Sequence, residues 1–327
     1  MTVANENNLL DVRDLSVSLH TEHGTVGIIE GISFAIQKGE IFALVGESGC
    51  GKSISSLSLT RLLPANTAEY PKGEVLFLGK DLLKLPEGEL RKIRGKEIAY
   101  IFQEPFSALN PLHKIGAQLT EGFLYHGLGN ERQALDKAEY LLTKVGITDV
   151  KQRLNQYPNQ FSGGMLQRVS IAMALMCDPK LLVADEPTSA IDVTIQLQLI
   201  ELLLELKREI GMSILFISHD IGLVSHVADR IGVMYAGKLV EFGKTDDVID
   251  HTLHPYAKAL IEAYPSSNSF GKRLLTIDGI VPSPKDYPEG CHFFDRCRVR
   301  MDICKRQDPP FRTFSTSHIV QCHLEDL

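Results

Sequence analysis

No apolar run in this 327-residue chain approaches the roughly 18–20 residues needed to cross a bilayer. If the protein works at a membrane, something else holds it there. A basic tract is also missing, and the formal charge is −7. That balance fits general nucleic-acid binding poorly. The opening stretch MTVANENNLLDVRD lacks a charged-then-apolar pattern, so no export signal is expected. An unexported chain sits in reducing surroundings, where structural disulfides are rare. There is no internal repeat and no heptad array.

What is present is enough apolar residue, 44%, for one large domain or a domain with an appendage. The first 40 residues alternate apolar and polar positions, as in DLSVSL and GISFAI, which predicts short antiparallel strands. IFALVG reads as a buried strand stopping at a glycine-rich turn, with a helix carrying Leu57, Leu59 and Leu62 after it. GEVLFLGKDLL reads as a strand pair turning at Gly79, and KEIAYIFQEP as a strand ended by Pro105. ERQALDKAEYLLTKVG puts Ala134, Leu135, Ala138, Leu141, Leu142 and Val145 on one helical face, with Gly146 as the stop. A mostly helical insertion is expected over about 105–177. KLLVADEP and SILFISHD then read as buried strands joined by a helix over VTIQLQLIELLLELKREIG. IGVMYAGKLVEFG reads as a hairpin turning near Ala236 and Gly237. From about 265 onward the periodicity fades among Pro, Ser and Gly, and a loosely built appendage is expected. Strands alternating with helices predict a parallel, helix-covered sheet.

GESGCGKS, Gly46 to Ser53, fits G-x-x-x-x-G-K-[ST] between an expected strand and helix. Glycines let such a backbone wrap phosphates with its N–H groups pointing inward, and the helix N-terminus adds a favourable dipole. The candidate nucleotide-binding residues are Gly46, Glu47, Ser48, Gly49, Cys50, Gly51, Lys52, Ser53 and Ile54. Lys52 would pair with the β- and γ-phosphates, and Ser53 would ligate Mg²⁺. In LLVADEP, Asp185 would hold Mg²⁺ and Glu186 would polarise the attacking water. Gln103, after IAYIF, could touch both Mg²⁺ and the water, and His219, after ILFIS, could reach the γ-phosphate. FSGGMLQR adds a second anion-binding helix start at Ser162, Gly163 and Gly164. Two phosphate-gripping elements but one lysine-bearing loop imply two subunits head to tail, each closing over the other's nucleotide.

Gln103, SGGMLQR, DEPTSAID and His219 follow the order and spacing of the ATP-binding cassette (ABC) ATPases, which the chain resembles over about residues 8–260. The resemblance implies an α/β fold: an ABC-type P-loop NTPase core with an antiparallel β subdomain, a helical insertion and a small Cys-rich C-terminal appendage. The expected division is 1–264 for the ATPase domain and 265–327 for the appendage. It assigns Ser162, Gly163, Gly164 and Gln167 to the signature motif, and Asp192 to the loop communicating between subunits. GESGCGKS, IFQEPFSALNP, DVTIQ and HPYAKAL look in particular like the dipeptide, oligopeptide and nickel import subfamily. That implies ATP and Mg²⁺ as ligands, a sister ATPase, two permease subunits and an extracytoplasmic peptide-binding protein. The chain would sit peripherally on the cytoplasmic face of the inner membrane. A nickel or metal-chelate importer is the alternative. An ABC ATPase acting on DNA or ribosomes is less well matched, because such proteins usually carry a long coiled-coil insertion or tandem cassettes. A regulatory subunit with incidental turnover is disfavoured by the intact Glu186.

Three positions depart from the family pattern, one of them Ile191, which replaces the usual leucine before Asp192. Leu19 stands where an adenine-stacking aromatic is expected, with His20 or His23 as substitutes. Cys50 holds a loop position often held by serine; Lys52 and a helix N-terminus beside it are conditions that lower a thiol pKa, but the favoured reading is a small tolerated filler. Four of the six cysteines fall late, as C-x5-C-x6-C-x17-C at Cys291, Cys297, Cys304 and Cys322. In reducing surroundings these read as ligands, and the spacing alone leaves zinc and an iron–sulfur cluster both open. The resemblance implies a [4Fe–4S] cluster, with Zn²⁺ as the alternative.

Overall fold

The computed structural model describes residues 7–22, 24–187, 193–263, 276–315 and 317–325. In chain order the strands are β1 (Asn8–Thr21), β2 (Gly24–Gln37), β3 (Ile41–Val45), β4 (Ala68–Phe77), β5 (Lys80–Asp81) and β6 (Ile98–Ile101), followed by β7 (Leu181–Asp185), β8 (Ser213–Ser218), β9 (Arg230–Tyr235), β10 (Lys238–Lys244), β11 (Phe311–Thr313) and β12 (Ile319–Gln321). The chain forms two compact units. One is the sequence up to Lys84 with that from Phe216 onward, and the other is Leu85–Leu215.

In the first unit, an antiparallel sheet runs β2-β1-β4-β5. Its inward positions, Leu10, Val12, Leu15, Val17, Ile29, Ile32, Phe34 and Ile36, are buried, as alternation requires. The runs expected as short strands are parts of two 14-residue strands. Register shifts between Val12 and Leu15, where Asp14 takes φ 49°, let each strand bend and continue. β3 pairs in parallel with β9, and β9 turns back antiparallel into β10. Ala236 (φ 43°) and Gly237 (φ 81°) form that turn, as the sequence suggests. β10 then pairs with β12, and β12 with β11. The C-terminal segment is therefore tied to β10 of this unit by strand pairing, where only loose structure was expected. Glu241 is fully buried in β10 and anchors that joint. Its carboxylate accepts from the Leu253 and His254 N–H groups, at 2.9 and 2.7 Å, and pairs with His318 Nε2 at 2.7 Å.

In the second unit, β6 and β7 pair in parallel. Helices span Ile115–Tyr125, Glu131–Lys144, Gly163–Leu175 and Val193–Ile210. Asn130 and Gln133 form a reciprocal capping box at the second of these. Its buried face is Ala134, Ala138, Leu141, Leu142 and, past its end, Val145, while Leu135 stays 37% exposed. Gly146 (φ 78°) supplies the left-handed stop. Helix Glu87–Ile93 was not anticipated, because its only buried residue is Leu90 and so it carries no apolar stripe. Among the described residues, no helix is long and apolar enough to cross a membrane.

Candidate active site

The loop from Gly46 to Gly51 joins β3 to the helix Lys52–Ser58. Two glycines are required here, Gly46 by close approach, since a Cβ there (φ 155°) would lie 2.2 Å from the Met234 carbonyl oxygen, and Gly51 by its left-handed φ of 106°. Lys52 is 5% exposed. Its ammonium turns back into the loop and donates to the Gly46 and Glu47 carbonyls at 2.8 and 3.0 Å. The charge is thus set inside the loop, where bound phosphate would meet it. Ser48 and Gly49 are exposed at the tip, while Ser53 and Ile54 are half-buried in the first turn. Cys50 is fully buried, and burial raises its pKa against the pull of Lys52. Burial outweighs the pull of its neighbours because the thiol lies beneath the loop, not on it.

The Glu47 side of the loop is held by the C-terminal half of the chain. Its N–H donates to the Tyr256 hydroxyl at 2.8 Å. Its carboxylate receives both Arg296 terminal nitrogens, at 2.6 and 3.0 Å. The Arg296 side chain is 5% exposed and packs over the Tyr235 and Phe293 rings. Sequence reasoning missed both Arg296 and Tyr256. Nothing in a one-dimensional pattern links Glu47 to an arginine 249 positions away, although Arg296 stands directly before Cys297.

In the second unit, Asp185 ends β7 and is 7% exposed. Glu186 follows with φ 46°, a left-handed conformation that strains a residue with a Cβ. The Gln103 amide donates to Glu186 Oε2 at 2.9 Å, so two of the anticipated residues meet directly. Ser162 caps the helix Gly163–Leu175, its hydroxyl accepting from the Met165 N–H. A Cβ on Gly164 would meet nothing within 4 Å, so the helix start faces open space there. Gln167 points the other way: it is 2% exposed and donates to the Pro187 carbonyl at 2.6 Å. It supports the chain just past Glu186. Asp192 and Ile191 lie outside the described residues.

His219, in the first unit, is exposed in the turn after β8. Asp220 caps the helix that follows, accepting from the Leu223 N–H at 2.9 Å. Leu19 is half-buried in β1, and His20 is tied to Thr25 and Glu69. His23 lies outside the described residues.

Cys291, Cys297, Cys304 and Cys322 line one small enclosed cavity with His254 and Phe293. The Cys291 N–H donates to the Cys304 carbonyl at 2.8 Å. Burial pushes the Cys291 thiol up to about 12 and raises Cys297 and Cys322. Yet among the described residues, no group of three or more His, Cys, Asp or Glu side chains is placed to hold a metal ion. The expectation of a metal centre at these four cysteines thus finds convergence but no formed site.

The ABC transporter family model matches residues 29–189, and a second, described as "Oligopeptide/dipeptide transporter, C-terminal region", matches 240–304. The chain is 48% identical to the dipeptide transport ATP-binding protein DppD of Bacillus subtilis (strain 168) over 318 residues, covering 97% of this chain and 95% of that protein. The chain belongs to the ABC transporter family. A second ABC relative, the oligopeptide transport ATP-binding protein OppD of B. subtilis (strain 168), is 46% identical and covers 97% of this chain and 88% of its own length. Among solved structures, the ATP-binding cassette MJ0796, in a dimeric post-hydrolysis state bound to ADP and Pi, matches with a TM-score of 0.65 at 26% identity. That match covers 72% of this chain and 98% of the cassette. The phosphate loop and the Glu186–Gln103 pair are thus parts of an ABC ATPase.

Proposed function

We propose that this ABC ATPase powers import of dipeptides or oligopeptides through separate permease subunits. The observation that carries this reading is the near-full-length likeness to dipeptide and oligopeptide transport ATP-binding proteins, including the C-terminal region at 240–304. The chain would work on the cytoplasmic face of the membrane, beside a sister ATPase and behind an extracytoplasmic peptide-binding protein. Lys52 and the loop N–H groups grip the phosphates of ATP. Glu186 orients and polarises the attacking water, and the Gln103 amide holds that carboxylate in place. His219 meets the γ-phosphate. Ser162, Gly163 and Gly164 close over nucleotide held by the opposing cassette. Ser53 in the first unit and Asp185 and Gln103 in the second carry oxygens of the kind that suit Mg²⁺, which would neutralise charge on the transferring phosphoryl group.

The four cysteines line one small cavity, and the likeness to the oligopeptide and dipeptide import subfamily favours a [4Fe–4S] cluster there over Zn²⁺, although no metal-holding group of side chains is formed among the described residues. Bound iron would hold them as thiolates, against the burial that raises the Cys291, Cys297 and Cys322 thiols. Anaerobically purified protein should then be brown and carry about four irons. Stoichiometric zinc without iron would reverse the assignment, and neither metal would end it.

Uptake decides the cargo. Cells lacking this chain should lose uptake of labelled di- and oligopeptides and regain it on complementation. Unchanged peptide uptake with lost nickel uptake would replace this reading by metal-chelate import.

A further inference from the structure

We propose that Arg296 is a positioning residue of the nucleotide site, making the four-cysteine segment a working part of the phosphate loop. The inference rests on reading that loop as the ATP site. It starts from a problem in the loop itself. Three glycines with positive φ, Gly46, Gly49 and Gly51, leave it free to take many shapes. A loop must take one shape to aim its N–H groups at phosphate, and ordering it on binding weakens affinity. Glu47 adds a second problem, because its carboxylate places negative charge on a loop built for anions.

Arg296 answers both. Its guanidinium makes a two-pronged pair with the Glu47 carboxylate, at 2.6 and 3.0 Å. Such a pair fixes direction as well as distance. It also neutralises the carboxylate before a phosphate arrives. Arg296 can do this because it is itself immobilised. Its Nε donates to the Asp278 carbonyl at 2.8 Å, and its plane lies over Tyr235 and Phe293. The Tyr256 hydroxyl, which accepts from the Glu47 N–H, packs its ring against the same two aromatics. Phe293 and Cys297 both line the cysteine cavity, and Arg296 lies between them in the chain. The order of the cavity is therefore passed to the loop through three consecutive contacts: cavity to Arg296, Arg296 to Glu47, Glu47 to Lys52.

The test is a nucleotide-binding cycle on the full chain, with magnesium-ATP titrated at equilibrium. Arg296→Ala should raise Kd about tenfold, by loosening the loop and exposing the Glu47 charge. Arg296→Lys should recover part of this, since an ammonium restores charge but not the two-pronged grip. Glu47→Gln should weaken binding less than Arg296→Ala, because it removes the repelling charge along with the anchor. In the Glu47→Gln background, Arg296→Ala should add no more than twofold. In the assembled transporter, the Arg296 variants should raise the KM for ATP and leave kcat within about twofold. If Arg296→Ala does not fold, Arg296→Gln takes its place in the cycle. An unchanged Kd in folded Arg296 variants, with only melting temperature lowered, would overturn the proposal and leave the ATPase reading standing. Equal losses from Arg296→Ala in both backgrounds would also overturn it, since the effect would not pass through Glu47. Failure of the unsubstituted chain to bind ATP would instead strike the reading of the loop itself.

Discussion

At Glu186 the chain leaves β7 in a left-handed conformation, with φ at 46°. Such strain persists only where the surroundings impose it. Here Gln103 holds the carboxylate and Gln167 holds the next carbonyl, at Pro187. The arrangement serves the position of one carboxylate, so removing the charge should affect hydrolysis and spare binding. Glu186→Gln should lower turnover at saturating ATP at least a hundredfold, the usual size of a lost general base. ATP affinity should stay within about threefold, and a single-turnover assay beside a binding titration separates the two. Cys50 gives the opposite lesson. Its neighbours, Lys52 and a helix start, would lower a thiol pKa on their own, yet it is fully buried and its pKa is raised. Native protein at pH 7.5 should leave Cys50 unlabelled by iodoacetamide over an hour, with rapid labelling only after denaturation, as peptide mass mapping would report. Burial is a property of tertiary packing, and GESGCGKS alone could not carry it.

Elements whose pattern is local were legible in the sequence. IFALVG, LLVAD and SILFIS are fully buried strands because continuous apolar runs leave no face for water. The Ala236–Gly237 turn and the Gly146 stop were legible because positive φ favours such positions. Bulges in β1 and β2 were not, since a register shift shows only against a partner strand. The joining of β12 to β10 was not legible either, because its determinant is one buried side chain with three partners on two other segments. Glu241 is 0% exposed and accepts from two backbone N–H groups besides pairing with His318. Replacing one carboxylate oxygen by an amide turns an acceptor into a donor and leaves a buried partner unsatisfied. Glu241→Gln should therefore destabilise the chain by about 2 kcal/mol. The first region to lose amide-exchange protection should be the C-terminal segment around Ile319–Gln321, and uniform loss across the chain would contradict that role.

At the scale of the whole molecule, the phosphate loop and the signature helix start do different jobs. Lys52 closes the first, folding onto the Gly46 and Glu47 carbonyls. The second begins with a capped Ser162 and two glycines, and at Gly164 it opens on free space. An anion-binding helix start contributes little unless an anion lies within its first turn. One chain offers a single lysine-bearing loop, so the simplest use for its signature is the nucleotide of a second cassette. Hydrolysis then becomes a property of a pair, and its rate must follow the population of pairs. The purified chain alone should be mostly monomeric and nearly inactive. Its specific activity should rise with protein concentration, and should rise further on adding the sister ATPase and permeases. Ser162→Ala should weaken this pair-dependent turnover while leaving ATP binding to the isolated chain unchanged, because in the proposed pair Ser162 would serve the opposing cassette's nucleotide. Sedimentation together with a steady-state assay over a hundredfold dilution range measures both. Full specific activity that does not change on dilution, from a chain that sediments as a monomer, would show that one cassette completes its own site.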